Sequence, residues 1–136
     1  MVVDVGAARR RLAAARVGHL ATVTAASRAH LVPCCFALRA DTVYSPIDAK
    51  PKSTLALRRL QNIQSNGAAS LLVDHYEEDW DALWWVRVDG KGRTVEEADE
   101  RNEAIDLLRA KYEQYRSISI PGPVLALDIE HSRMWP

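Results

Sequence analysis

Charge of neither sign is in excess in this chain of 136 residues, where 18 lysines and arginines stand against 18 aspartates and glutamates. A general attraction to nucleic acid or to an anionic membrane is therefore not expected, and any binding of anions must come from local patches. No apolar run approaches the ~18 residues that a membrane-crossing helix needs, and no charged-then-apolar leader opens the sequence. The expectation is a cytoplasmic protein. Cysteine is almost missing. Cys34 and Cys35 are the two present, and neighbours in an extended run point to opposite faces, which argues against a disulfide between them and for reduced thiols. The chain also lacks the G-x-S-x-G elbow of a hydrolase, the phosphate-cradling G-x-x-x-x-G-K-[ST] loop and the dinucleotide-binding G-x-G-x-x-G turn. His19, His30, His75 and His131 stand at no recognised ligand spacing to one another or to a cysteine, so no metal site is expected. With no repeat, linker or low-complexity tract, and 48% hydrophobic residues, the chain reads as one domain over residues 1–136 with a core of its own.

What is present is organised around residues 30–52, HLVPCCFALRADTVYSPIDAKPK. HLVPCCFAL and TVYS are short, apolar and rich in β-branched and aromatic residues, and Arg39-Ala40-Asp41 separates them, so the pair predicts a β-hairpin. Pro33 cannot donate to a ladder, which places this first strand at an edge or bulge. Asp48, Lys50 and Lys52 then lead to Ser53-Thr54, which can cap a following helix. Cations and a helix N-terminus thus converge on one spot suited to a phosphate.

The remaining elements follow in order. Asp4 to Arg16 predicts a short helix with a thin apolar stripe of Ala8, Leu12 and Ala15. Arg9, Arg10 and Arg11 read as its solvated face before they read as a nucleic-acid patch. Val17 to Thr24 predicts a strand that turns at 25–28 into the hairpin, making a meander of three strands. Ser53 to Asn66 predicts a helix stopped by Asn66-Gly67. Ala68 to Tyr76 predicts a strand, followed by the acidic turn at 77–79, a strand from Leu83 to Val88 and a hairpin-like Asp89-Gly90. In that run Trp84, Val86 and Val88 share one face while Trp85 and Arg87 share the other, so one tryptophan belongs to the core and one is available. Thr94 with Glu97 has capping-box spacing ahead of a helix through Arg116. Val124 to Glu130 alternates as a final strand. Neither cysteine has an activating context, and both read as small buried residues. The sum is an α+β chain of antiparallel strands with flanking helices, built on a small barrel.

Three blocks, RVGHLATVTAASRAHLVPCCFAL, DTVYSPIDAKPKSTLALRRLQNI and SLLVDHYEEDWDALWWVRVDGKGR, resemble the split β-barrel flavin and deazaflavin oxidoreductases, the group that includes pyridoxamine 5′-phosphate oxidase. D-x-K-P-K followed by L-R-R-L-x-N-I, together with L-L-V-D-H-Y-x-x-D-W-x-x-L-W-W-V-R, is similar to an actinobacterial branch of F420-dependent enzymes. The resemblance implies the FMN-binding split β-barrel fold and a homodimer whose two subunits share a cofactor groove. Carried over by position, Lys50, Lys52 and Ser53 would bind the phosphate. Leu31, Val32, Pro33 and Cys34 would line the ring edge with backbone groups, and Trp85 and Arg87 would reach across from the other subunit. Tyr44 and Ser45 are further cofactor-contact candidates, and His75 and Tyr76 are candidate proton donors. Pyridoxamine-phosphate oxidases tend to show an asparagine after the second strand and an S-R-K phosphate motif. Pro46 and D-x-K-P-K stand here instead, which points away from the vitamin B6 reaction.

The function implied is hydride transfer between F420 and a small, electron-poor organic substrate, with no need of a catalytic triad because the cofactor carries the chemistry. An FMN-dependent enzyme of the same fold and a non-catalytic flavin- or deazaflavin-binding protein are the alternatives. A nucleic-acid-binding barrel using Arg9 to Arg11, Lys50, Lys52, Arg58 and Arg59 is disfavoured by the zero net charge and the lack of stacking aromatics in the basic segments.

Overall fold

The computed structural model describes residues 4–47 and 54–136. In chain order the elements are α1 (Val5–Ala14), β1 (Gly18–Val23), β2 (Ala29–Cys34), β3 (Ala37–Arg39), β4 (Thr42–Pro46), α2 (Thr54–Ser65), β5 (Ala68–His75), β6 (Trp84–Thr94), α3 (Ala98–Lys111) and β7 (Val124–Trp135), with single 3-10 turns at Trp80–Ala82 and Glu113–Arg116. The strands form one antiparallel sheet in the order β2-β1-β5-β6-β7-β4-β3. Cys34 near one edge and Val43 near the other belong to the same buried cluster as Leu20, Leu71, Val73, Val86 and Val88. The sheet is therefore rolled around its own inner face, an α+β split barrel.

The helices fill and flank the roll. Asp4 caps α1 through a carboxylate that accepts from the Ala7 N–H at 3.0 Å, and Ala8 and Leu12 enter the inner core. α2 sets Ile63 into that core, where the Asn62 amide donates to the Thr22 hydroxyl at 3.0 Å and so satisfies two buried polar groups at once. Gly67, at φ 81°, supplies the left-handed residue that ends α2. α3 covers the side formed by β3, β4 and the N-terminal half of β7, with Ala104 against Tyr44, Val95, Val124 and Ala126.

Four expectations are corrected. The run His30 to Leu38 is two strands and not one: its end does form the expected hairpin, Ala37–Arg39 pairing with Thr42–Pro46, but its beginning does not. The chain leaves the sheet at Cys35 to bury Phe36 completely, and the Phe36 N–H donates to the Tyr112 hydroxyl at 3.1 Å instead of to a ladder. β2 consequently pairs with β1 at one edge while β3 pairs with β4 at the other, so the three-strand meander does not form. Pro33 does lie on an edge strand, as its missing donor requires. Asp89-Gly90 is not a turn. β6 runs through it to Thr94, and opposite it the register steps from Asp89–His131 to Gly90–Ile129, leaving Glu130 as the additional residue of a bulge. The capping box is also absent. Glu97 is itself the N-cap without a side-chain capping bond, and Thr94 stays in β6 with its hydroxyl buried and without a partner among the described residues. Lastly α3 stops at Lys111, because Tyr112 turns inward and its hydroxyl donates to the Arg16 carbonyl at 2.8 Å.

A charged lattice locks α3 to the sheet. Both terminal nitrogens of Arg93 donate to Glu100 at 2.7 and 2.8 Å, and its Nε donates to Asp128 at 2.7 Å. The Tyr44 hydroxyl donates to Glu100 at 2.7 Å and the Thr42 hydroxyl to Asp128 at 3.0 Å. The hydrogen bonds from Arg93 hold Glu100 down at about 2 and keep Asp128 below its ordinary range. Burial, followed by the bond to Glu100, pushes the Tyr44 phenol up to about 12.

Two outcomes follow from this architecture. A Cβ at Gly90 would stand 1.9 Å from the Asp128 carbonyl oxygen, so Gly90→Ala should cost about 2 kcal/mol or more in urea unfolding, the range of strain-type substitutions. Because Glu100 has a lowered folded-state pKa, its contribution is full above the unfolded value of about 4.5 and is lost as pH falls toward about 2. The stability gap between wild type and Glu100→Gln should therefore be largest near pH 6–7 and close across that acid window, as measured by unfolding at stepped pH.

Candidate functional site

Alternation along the strands divides the sheet into an inner face that is packed and an outer face that is not. On β1 the inner residues are Gly18, Leu20 and Thr22, all buried, and the outer ones are His19, Ala21 and Val23. Cross-strand register then assembles the outer face residue by residue. Pro33 and Leu31 stand opposite His19 and Ala21. His19 stands opposite Leu72, Leu72 opposite Arg87, and Asp74 opposite Trp85. Trp85 and Arg87 in turn face Trp135 and Arg133. Among the described residues no helix packs on this face, since α1 and α2 contribute to the inner cluster and α3 lies on the far side of β4 and β7. Leu31 is 66% exposed and Trp135 45%. An apolar strip running from the β2 edge to the end of β7, with arginines set into it, is thus open.

The structure brings some of the sequence-derived candidates together here and leaves others elsewhere. Leu31 and Pro33 present side chains to the outer face, whereas Val32 packs on the inner cluster and Cys34 is buried in it. Those two can meet a ligand only through peptide groups, and among the described residues β2 has no neighbour on its outward edge to take them up. Trp85 and Arg87 are on the same face, with Trp84 turned to the core as the alternation predicted. Arg87 is not free: its Nε lies 3.1 Å from Asp89, which also accepts the Ser70 hydroxyl at 2.6 Å. Tyr44 is committed to Glu100 on the α3 side. Ser45 is buried, its hydroxyl donating to the Cys35 carbonyl at 2.8 Å, so it braces the end of β2 from behind. His75 is the last residue of β5, opposite Trp84 and so on the other face from Trp85 and Arg87, its imidazole stacked on Trp84 at 6.0 Å and paired with Glu77, while Tyr76 follows the strand with its phenol 64% exposed and its hydroxyl donating to Glu78 at 3.4 Å. Lys50, Lys52 and Ser53 lie outside the described residues.

Two features escaped the sequence reading. β7 continues to Trp135 instead of ending at Glu130, which adds Arg133 and Trp135 to the outer face. The alternation of 131–135, interrupted by the bulge at Glu130, was the available signal. Lys111, one of the basic residues closing α3, sets its ammonium 3.8 Å from the Phe36 ring centroid with no hydrogen-bond partner among the described residues, and burial pushes its pKa down to about 8. Nothing in the basic pattern at 109–111 distinguishes it from a solvated helix end. Cys34 is pushed the other way, its thiol raised by burial, which suits packing and not attack. Among the described residues no three His, Cys, Asp or Glu side chains gather as a metal site would require, and no helix is long and apolar enough to cross a membrane.

Comparison with known proteins bears on this face. The family model described as pyridoxamine 5′-phosphate oxidase matches residues 5–136. No curated protein matches the chain. Among solved structures, the chain is similar to a candidate 5-nitroimidazole antibiotic resistance protein from Bacteroides thetaiotaomicron, with a TM-score of 0.77, 16% identity and coverage of 98% of this chain and 84% of that one. It is also similar to an FAD-binding protein from Mycobacterium smegmatis, at TM-score 0.68 and 17% identity over 99% and 98% of the two chains. The heme storage protein HutZ from Vibrio cholerae gives a TM-score of 0.70 at 17% identity over 99% and 94%. At these identities the likeness establishes the fold.

The burial of Cys34 yields a chemical check. Iodoacetamide should modify Cys35 in the folded protein and leave Cys34 unmodified until denaturant is added, as read by peptide mass spectrometry.

Proposed function

The chain belongs to the pyridoxamine 5′-phosphate oxidase family, and on that premise we propose that it is a hydride-transferring oxidoreductase, F420-dependent ahead of FMN-dependent. Its substrate is a small, electron-poor organic molecule in a groove shared by two copies of the chain. The observation that carries this reading is the open apolar strip beside the unpaired edge of β2. A flat tricyclic ring can lie on Leu31 and Pro33 there while meeting peptide groups of Val32 and Cys34 at its rim. The fit extends to charge. Lys50, Lys52 and Ser53 immediately precede the first residue of α2, so a phosphate held by them also meets helix N-terminal N–H groups.

The open strip also supports the homodimer. An apolar sheet face carrying Leu31, Leu72, Trp85 and Trp135 is the kind of surface that a second copy covers, and Trp85 and Arg87 from that copy would then close the groove. Arg87 would exchange its Asp89 partner for a ligand carboxylate. Once bound, the flavin or deazaflavin supplies the hydride chemistry. The chain's own residues orient the two reactants, exclude water and match charge. His75, poised by Glu77, and Tyr76 are the proton-donor candidates. Pro46 and D-x-K-P-K in place of the oxidase motif support a reaction other than that of vitamin B6.

A parallel fluorescence titration with F420 and FMN tests the reading, on protein whose dimeric state is checked by light scattering. F420 should bind more tightly. Lys50→Ala/Lys52→Ala should weaken it at least about tenfold, the loss expected for charge-assisted phosphate contacts. Tighter FMN binding would move the chemistry to the flavin. Tight binding with no turnover of any acceptor would make this a cofactor-holding protein, the role that the likeness to a heme storage protein favours. Binding of neither would overturn the proposal.

A further inference from the structure

The arginines of this molecule fall into two groups. Arg9, Arg39, Arg87 and Arg93 each reach a carboxylate, and Arg101, Arg109 and Arg116 reach backbone carbonyls. Arg10, Arg11, Arg16, Arg28, Arg58, Arg59 and Arg133 reach neither among the described residues, and the first three of these line one groove of about 510 Å³ between the C-terminal half of α1 and the ends of β5 and β6. Trp84 and His19 share that lining.

Two of these guanidinium groups are held by aromatic faces. Arg11 lies over the Trp84 ring at 5.1 Å and Arg16 over the Tyr112 ring at 4.7 Å. The distinction has chemical weight. A bidentate ion pair uses up the in-plane N–H donors of a guanidinium, whereas a cation resting on a ring is positioned through its face and keeps its donors. Arg16 is fixed at its backbone as well, since its carbonyl accepts from the Tyr112 hydroxyl. The groove also has a flat apolar wall, because Trp84 reaches it from the rim of the inner core and is extended by the imidazole of His75, stacked with an interplanar angle of 19°. Of the nearby carboxylates, Asp74 is on the lining and Glu77 is engaged by His75. The balance of three guanidinium groups to one unpaired carboxylate leaves the groove cationic in a chain with no net charge.

We propose that this groove is a binding site for a small planar organic anion, an aromatic ring bearing a carboxylate or phosphate. Its ring packs beside the Trp84–His75 pair and its oxygens are taken by Arg10, Arg11 and Arg16. The volume is in the range of small-molecule sites, and cations positioned before binding lose little further freedom when the ligand arrives. The groove adjoins the outer face, since His19 and Asp74 belong to both, but its three arginines come from α1 and the turn after it and not from the β2 edge.

The test is a calorimetric titration with 2-naphthoate, 2-naphthyl phosphate and the neutral 2-naphthalenemethanol. Either anion should bind at least about tenfold more tightly than the neutral ring, and the tighter of the two identifies the head group. Arg10→Ala/Arg16→Ala changes two exposed side chains and should retain the wild-type melting temperature while lowering anion affinity at least about tenfold. Excess FMN should leave the affinity unchanged. Equal affinity for the neutral ring, an undiminished affinity in the double variant, or displacement by FMN would each overturn the inference.

Discussion

The bulge at Gly90 and Glu130 is the constraint on which the rest of the barrel depends. β7 presents Leu125, Leu127 and Ile129 inward along its first half and Ser132 and Met134 inward along its second, and no single two-residue alternation can do both. One additional residue between the halves resets the phase. Without it either the core would lose its β7 contribution or the face carrying Arg133 and Trp135 would turn inside. The partner strand bends to permit this, and the carbonyl of Asp128 comes so close that only glycine fits at position 90. The same bend separates β6 into a half whose outward residues, Trp85, Arg87 and Asp89, are uncovered and a half whose outward Arg93 is roofed by α3.

From that division the electrostatics follow. Where α3 covers β6 and β7, Arg93 is matched by the carboxylates of Glu100 and Asp128, whereas Lys111 at the end of the same helix rests on the Phe36 ring. Where nothing covers it, Arg87 keeps a looser partner in Asp89. At the α1 corner the guanidinium groups rest on aromatic rings instead. A neutral chain is therefore not uniformly neutral on its surface, and one place where guanidinium groups without a carboxylate gather beside an aromatic ring is the α1 corner.

Such an arrangement suits a protein that leaves difficult chemistry to a bound molecule. Among the described residues Cys34 is raised by burial, and Tyr44 and Tyr112 are raised likewise, so none of the three is poised as a nucleophile. What the chain offers is a rolled scaffold whose two edge strands, β2 and β3, have no outward neighbour among the described residues. Tyr112 contributes to that scaffold from a distance, its hydroxyl joining Arg16 and Phe36 and so tying the start of β1 to the exit from β2.

Local pattern was legible wherever one face of an element met the core and the other met solvent. α1, β1 and β5, and the opposed tryptophans of β6, follow from periodicity because burial enforces it, and Pro33 announced an edge because it has no N–H to give. The family resemblance, carried by the D-x-K-P-K and LWWVR blocks, pointed to the split barrel directly. Tertiary structure decided what depends on partners far away in the chain. Phe36 leaves its strand because Tyr112, 76 residues on, receives its N–H. Asp89-Gly90 has the residues of a turn yet is a bulge because β7 lies beside it. Tyr44, a ligand candidate by position, is claimed by Glu100, and Arg10, Arg11 and Arg16 become a cluster only when Trp84 is folded against them. Sequence specifies which surfaces must be buried, whereas the identity of what buries them is settled by the packing of elements that no local pattern relates.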